Sequence, residues 1–173
     1  GPGDLARPTP CRRWDVALLL VHLEDAVGAF TEAATGEVPV HPVGSGIAGS
    51  AVPHPRALAV AARALPDLWR TASLRALGLG AGTADDVTVG GAPLGAAVLV
   101  GAAALELAVH ADDLGAALDG PRLQDALALE LWPVARALVR TGDRAGRFDA
   151  PLEVLPGSAP RDVLRAHLGR RAG

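Results

Sequence analysis

The spacing of apolar residues predicts a chain built mainly of helices. Apolar side chains recur with a helical period in four long segments, which are separated by glycine, proline and capping residues. Asp15 is a suitable N-cap for the first segment, and Trp14 before it is placed to pack against Leu19 one turn into the helix. The predicted helices span residues 16 to about 34, 55 to 77, 93 to 118 and 122 to 141.

Residues that break helices separate these segments. Seven glycines and prolines between Thr35 and Pro55 predict a long loop, and loops of this length in compact domains often cover a pocket. Pro66 and Pro133 are expected to bend the second and fourth helices. Residues 87–89, with two valines around a threonine, predict a short extended piece before the third helix.

The pattern as a whole predicts an all-α fold. Ser158 is placed to cap a last short helix that ends at Gly169. Four main helices without strong strand patterns favour an up-and-down four-helix bundle with long inter-helix loops and a short C-terminal helix. At this length we expect one domain over residues 1–173.

The third predicted helix carries two polar residues on an otherwise apolar face. Glu106 and His110 are four residues apart, which puts the carboxylate and the imidazole one turn apart on the same side of a helix. An ionised carboxylate in such surroundings needs a cation, a hydrogen-bond partner or a proton. A divalent metal would satisfy both groups, and pairing with each other or with arginines is the alternative.

His22 is the candidate for a third ligand. It lies among aliphatic residues of the first helix, as Glu106 and His110 do on the third. Two imidazoles and one carboxylate form the three-ligand set of a catalytic zinc site, with the fourth position open to water or substrate. The alternative for His22 is a core histidine with a satisfied hydrogen bond.

Three segments resemble the DinB/YfiT-like metal-dependent proteins. More narrowly, they resemble the branch that includes the N-terminal domain of mycothiol-dependent maleylpyruvate isomerase. The segments are Pro-Thr-Pro-Cys-Arg-Arg-Trp-Asp-Val at residues 8–16 with Leu-Val-His-Leu at 20–23, Leu-Glu-Leu-Ala-Val-His-Ala-Asp-Asp-Leu at 105–114, and the tail at 158–162 and 168–171. Ala111 and Asp112 replace a Gly and a Trp that are usual in this branch, whereas Glu, His and Asp remain.

The resemblance implies both a fold and a chemistry. It implies a DinB-type bundle in which His22, Glu106 and His110 hold a divalent metal, zinc above all, with Ni²⁺ or Mn²⁺ as options. It also implies a small thiol such as mycothiol as cosubstrate, acting on a small electrophile by S-transfer, addition or isomerisation. Maleylpyruvate isomerisation itself is not expected, because that enzyme carries a second domain that the chain ends too early to form. A hydrolase using metal-bound hydroxide and a non-catalytic metal-binding or regulatory protein stay open.

The composition of the chain limits the kinds of partner and compartment that we expect. Half of the residues are hydrophobic and the net charge is −3, so neither disorder nor a nucleic-acid interface is indicated. All 16 basic residues are arginine, which is typical of a GC-rich bacterial genome. With its single cysteine, Cys11, the chain cannot form an internal disulfide.

We expect a cytoplasmic protein without membrane spans, since glycine and proline interrupt the uncharged residues 87–105. The oligomeric state stays open, with a homodimer as one option.

Several other polar or aromatic residues have ordinary structural interpretations. His41 and His54 are expected to be solvated loop histidines, although either could supply a fourth ligand. His167 is expected at the surface or in local packing, and Trp69 and Trp132 in the core. Two aspartates lie three residues beyond a candidate ligand histidine, where each could accept a hydrogen bond from the imidazole or instead cap a helix or bind an arginine. They are Asp25 and Asp113.

Overall fold

The computed structural model describes residues 2–11, 14–38, 51–78, 86–144 and 148–171, which are mostly helical. Its helices and strands follow in chain order: α1 (Pro2–Leu5), α2 (Val16–Ala33), β1 (Glu37–Val38), α3 (Pro55–Gly78), β2 (Asp86–Val89), β3 (Ala92–Gly95), α4 (Ala96–Leu118), α5 (Asp125–Leu138), a 3₁₀ turn (Thr141–Asp143) and α6 (Pro160–His167). The chain divides into two compact units, and α2 and α4 each contribute to both.

The first unit comprises residues 1–19 and 104–173. Its core is formed by apolar side chains of α4, α5 and α6, which pack against each other because each helix has an apolar face. Leu164 is fully buried, and Leu168 just after α6 is 2 % exposed, so the C-terminal segment is held firmly in this core. The buried members of the cluster are Leu105, Val109, Leu123, Ala128, Leu131, Ala135, Val139, Leu164 and Leu168.

The second unit comprises residues 20–103 and contains a small sheet beside its helices. The strand order is β1-β2-β3, with β1 parallel and β3 antiparallel to β2. Trp69 of α3, Val87 of β2 and Leu99 of α4 pack together in its core with Ala33. The short extended piece predicted at residues 87–89 is therefore confirmed, but as part of a sheet.

The sheet adds a small β element to the predicted all-α fold, which is otherwise consistent with the mostly helical structure. Pro93 was expected to open the third helix, but it lies in β3 opposite Thr88, and α4 begins only at Ala96. Within the described residues β3 is an edge strand, where a residue without an N–H donor is tolerated. The mainly helical character is correct, whereas the up-and-down order of four helices stays a prediction.

The predicted N-terminus of the first long helix is confirmed. The Asp15 carboxylate accepts a hydrogen bond from the Leu18 backbone N–H at 2.9 Å, as an N-cap does for the third helical residue. The helix ends at Ala33, close to the predicted position. The second helix also matches its prediction, spanning Pro55–Gly78 with Pro66 inside it. Most of the predicted loop between these helices, including His41, lies outside the described residues.

The last helices differ in detail from the sequence-based expectation. Helix α5 is shorter than predicted, and Pro133 lies inside it. Ser158 is not the cap of α6: the N-cap is Ala159, and the Ser158 hydroxyl donates to the Leu155 carbonyl instead. None of the helices in the described ranges combines the length and apolar character needed to cross a bilayer.

Candidate metal centre

Glu106 and His110 lie one turn apart on α4, as their spacing predicted. Helix α4 is rich in alanine and leucine, so it forms readily and leaves these two side chains as polar groups on an apolar stretch. The distance from His110 Nε2 to Glu106 Oε1 is 3.2 Å. The His110 side chain is 6 % exposed and that of Glu106 is 31 % exposed. The two residues thus form a His/Glu pair that faces partly buried space and is suited to hold a metal ion.

Asp113 binds the other ring nitrogen of His110. Its Oδ2 lies 3.0 Å from Nδ1, and its side chain is fully buried. Because an ionised carboxylate can only accept, Nδ1 is the donor in this bond. With the proton on Nδ1, Nε2 is the nitrogen that could bind a metal, an arrangement that recurs at histidine ligands of metals. Of the roles that the sequence left open for Asp113, the structure shows two: it is an acceptor for His110 and the partner of an arginine.

The same carboxylate also pairs with an arginine. Arg170 Nε lies 3.0 Å from Oδ1 and 2.9 Å from Oδ2 of Asp113. Both side chains are almost completely buried, so the positive charge of Arg170 offsets the buried negative charge. An arginine partner was predictable from the sequence only in general terms, and Arg170 was not identified as that partner. The sequence offered one chemical signal for such a partner: in a chain without lysine, a buried carboxylate needs an arginine or a histidine.

Trp14 covers the imidazole of His110. The two rings are stacked, with centroids 5.6 Å apart and an angle of 30° between their planes. A hydrogen-bonded turn holds Trp14 in place. The backbone N–H of Trp14 donates to the Cys11 carbonyl at 2.8 Å, and the Trp14 backbone carbonyl accepts from the Thr9 hydroxyl at 2.8 Å. The indole thus limits the freedom of the His110 ring from a second side.

The pKa of His110 reflects these contacts. Burial lowers the pKa, because an imidazolium is poorly solvated in the interior, but the hydrogen bonds to Asp113 and Glu106 outweigh burial. The net effect is a pKa above the ordinary value, and the charge of Arg170 limits the rise. A metal must displace a proton from His110, so metal affinity should fall as the pH decreases.

Asp112, next to Asp113, serves a different purpose. It is 3 % exposed, and its Oδ1 accepts from Arg122 Nε and from the Leu123 N–H, both at 2.9 Å. Arg165 Nη1 lies 3.3 Å from its Oδ2. These bonds tie α4 to the start of α5 and to α6. A cavity of about 660 Å³ adjoins Asp112 and is lined by α4, α5 and the turn between them, but neither Glu106 nor His110 lines it.

His22 lies on α2, three residues beyond Leu19, and is partly exposed. This part of α2 belongs to the second unit, whereas Glu106 and His110 belong to the first. The role of His22 as a third metal ligand stays a prediction. Asp25, one turn further along α2, is exposed.

The remaining histidines and tryptophans mostly match their ordinary interpretations. His54 is exposed, and its Nδ1 accepts from the Arg56 N–H at 3.3 Å. His167 packs edge-on against Trp132, with ring centroids 5.2 Å apart. Trp69 is 8 % exposed, and Trp132 is partly buried against the first unit's core.

A comparison with known proteins finds one family. Residues 1–115 match the family model described as the mycothiol maleylpyruvate isomerase N-terminal domain. The match includes all three candidate ligands and Asp113, but not Arg170. No curated protein and no solved structure matches the chain.

Proposed function

Because the chain belongs to the family of the mycothiol maleylpyruvate isomerase N-terminal domain, we propose that it is a metal-dependent enzyme that activates a small thiol such as mycothiol. In this proposal His22, Glu106 and His110 hold a divalent ion, zinc, and the thiol acts on a small electrophile. Glu106 and His110 offer a carboxylate and an imidazole on the same side of α4, and the 3.2 Å between Oε1 and Nε2 supports a shared ion. A cytoplasmic location is part of the same proposal.

The bond between His110 Nδ1 and the buried Asp113 carboxylate is the observation that carries the proposal. One ring nitrogen of His110 binds Asp113, and the other lies 3.2 Å from a second carboxylate, on Glu106. Metal-ligating histidines have this pattern, with the distal nitrogen fixed by an acceptor. Two histidines and one carboxylate suit zinc with an open position, which can lower the pKa of a bound thiol or water to near neutral.

The charges of the first unit favour an anion at the open position. Asp113 and Arg170 neutralise each other, so of the two carboxylates described at His110 only that of Glu106 would offset the charge of a bound divalent ion. The remaining positive charge of a bound ion would stabilise a thiolate in a partly buried site. The thiol proton would leave to solvent, and the sulfur lone pair would form a bond to an electrophilic carbon of the substrate, whose displaced electrons would pass to its carbonyl oxygen or leaving group.

Cobalt substitution tests the thiol part of the proposal. Addition of mycothiol or a simpler thiol to Co²⁺-loaded protein should produce a sulfur-to-cobalt charge-transfer absorption and release a proton, because the metal binds thiolate in preference to thiol. The Cys11→Ser variant should show the same band, which separates added thiol from the protein's own. If metal-loaded protein gives neither band nor proton release with any thiol, the thiol-transfer proposal is wrong. Hydrolase activity or plain metal binding would then be favoured.

Trp14 provides an optical test of the metal position. Co²⁺ or Ni²⁺ bound at His110 should quench the fluorescence of Trp14, because an open-shell ion would bind the imidazole on which the indole is stacked. Zn²⁺, with a filled d shell, should quench much less. Among the three tryptophans of the chain, Trp14→Phe should remove most of the quenching.

Trp132→Phe is the matched control, since Trp132 contacts His167 instead of His110. Quenching that survives in Trp14→Phe and disappears in Trp132→Phe would place the ion elsewhere.

A further inference from the structure

The charged partner of Asp113 comes from the C-terminal end of the chain. Arg170 follows α6 and lies 57 residues beyond Asp113 in sequence. It is also outside residues 1–115, which match the family. The residue is 6 % exposed, so its guanidinium is a buried group and not a mobile surface charge.

The local structure after α6 fixes the direction in which Arg170 leaves the helix. Gly169 has a φ of +78°, the left-handed conformation that ends many helices, and the Arg170 N–H donates to the Arg165 carbonyl at 2.8 Å. A Cβ at Gly169 would lie 2.7 Å from the Cβ of Asp149 and 2.8 Å from its carbonyl oxygen, so there is no room for a side chain. Buried Leu168 anchors the same turn in the core.

The three side chains Arg170, Asp113 and His110 form a continuous buried chain. Asp113 Oδ2 lies 2.9 Å from Arg170 Nε and 3.0 Å from His110 Nδ1. The second oxygen, Oδ1, is also held by Arg170 Nε, at 3.0 Å. Rotation of the carboxylate would break its bonds to arginine and imidazole together, so Arg170 restrains the acceptor that orients the His110 ring.

We propose that Arg170 is a positioning residue for the metal site. It fixes the Asp113 carboxylate, which in turn holds the proton on His110 Nδ1 and keeps Nε2 directed toward the metal. This inference rests on the proposed function, since it assumes that His110 is a ligand. It adds to that function a contribution from the C-terminal segment, which the family match does not cover.

Metal affinity of selected variants tests this role, measured by competition with a chromophoric chelator against Zn²⁺ and Co²⁺. Asp113→Asn should weaken binding by about 10- to 100-fold, the usual effect of losing a partner of a ligand histidine. Arg170→Gln should weaken it by roughly tenfold, toward the lower end of that range, because it acts through Asp113. Arg170→Lys retains the charge without the fixed guanidinium geometry and should lie between Arg170→Gln and the unmodified protein.

The double variant Asp113→Asn/Arg170→Gln distinguishes a shared path from two separate effects. If Arg170 acts through Asp113, the double variant should bind metal no more weakly than Asp113→Asn alone. Losses that add in full would overturn the proposal.

Arg165→Gln is the matched control, because Arg165 is a buried arginine of the same segment that pairs with Asp112 and not with Asp113. It should lower the melting temperature and leave metal affinity within about twofold, since the path to His110 is intact. An equal loss of affinity in Arg165→Gln and Arg170→Gln would show general loosening of the segment and would reject the inference.

The metal affinity of the unmodified protein distinguishes failure of the proposed function from failure of the inference about Arg170. If the unmodified protein binds no Zn²⁺ or Co²⁺ at micromolar concentration, the proposed function fails and the inference fails with it. If the unmodified protein binds and both Arg170 variants bind equally well, only the inference fails. Should Arg170→Gln not fold, Arg170→Lys and Asp113→Asn decide the outcome.

Discussion

His110→Ala should abolish stoichiometric binding of a divalent metal and make the melting temperature of the protein insensitive to a chelator. The substitution removes the proposed ligand nitrogen, which belongs to a ring held by Asp113 and Trp14. An ion that binds only the folded state at about 1,000 times its Kd stabilises that state by about 4 kcal/mol. For a chain of this length, chelation should then lower the melting temperature of the metal-loaded unmodified protein by roughly 10 °C.

His54→Ala is the control for this experiment, because His54 is exposed and its Nδ1 accepts a hydrogen bond from the nearby Arg56 backbone N–H. It should retain full metal stoichiometry and full sensitivity to the chelator. The hypothesis is contradicted if unmodified protein with verified metal occupancy melts at the same temperature with and without chelator.

The second large effect concerns stability without metal. Asp112→Ala should lower the free energy of unfolding by about 3–5 kcal/mol, the usual cost of removing one member of a buried ion pair. It leaves the guanidinium of Arg165, which is 3 % exposed, without its carboxylate, and it removes the acceptor of the Leu123 N–H. Urea unfolding followed by circular dichroism, in the presence of a chelator, measures the change.

Asp119→Asn provides the comparison at an exposed ion pair. Asp119 pairs with Arg7 at 2.8 Å, but its side chain is 81 % exposed, and asparagine tolerates its positive φ of 55°. Loss of this pair should change the free energy of unfolding by less than about 1 kcal/mol. Similar losses for Asp112→Ala and Asp119→Asn would contradict the assignment of Asp112 as a buried anchor.

Local features of the fold were predictable from the sequence. The N-cap at Asp15 and the one-turn spacing of Glu106 and His110 depend on residues within four positions of each other, and the structure confirms both. The family resemblance was also confirmed. It was recognisable from the sequence because its motifs are short continuous segments.

Features that depend on distant partners were missed. Pro93 is compatible both with the first turn of a helix and with an edge strand, and only pairing with β2 decides between them. Ser158 has the right chemistry for a cap, yet the chain enters α6 one residue later.

The candidate site shows the same division between local and distant information. Spacing on one helix identified Glu106, His110 and a possible role for Asp113. The identity of the buried cation was not predictable, since any of 16 basic residues, all of them arginine, could have balanced Asp113. Only the packing of α6 selects Arg170.

The ion pairs of Asp112 and Asp113 mean that the end of the family match at residue 115 is not a limit of folding. A recombinant fragment of residues 1–115 would contain every candidate ligand but would expose two adjacent carboxylates without their arginines, which are Arg122, Arg165 and Arg170. It would also lack α5 and α6, against which the end of α4 buries its apolar face. Grafting this segment onto a foreign C-terminal region should succeed only if the new region buries positive charges against the same two carboxylates. The two parts are therefore expected to change together in evolution.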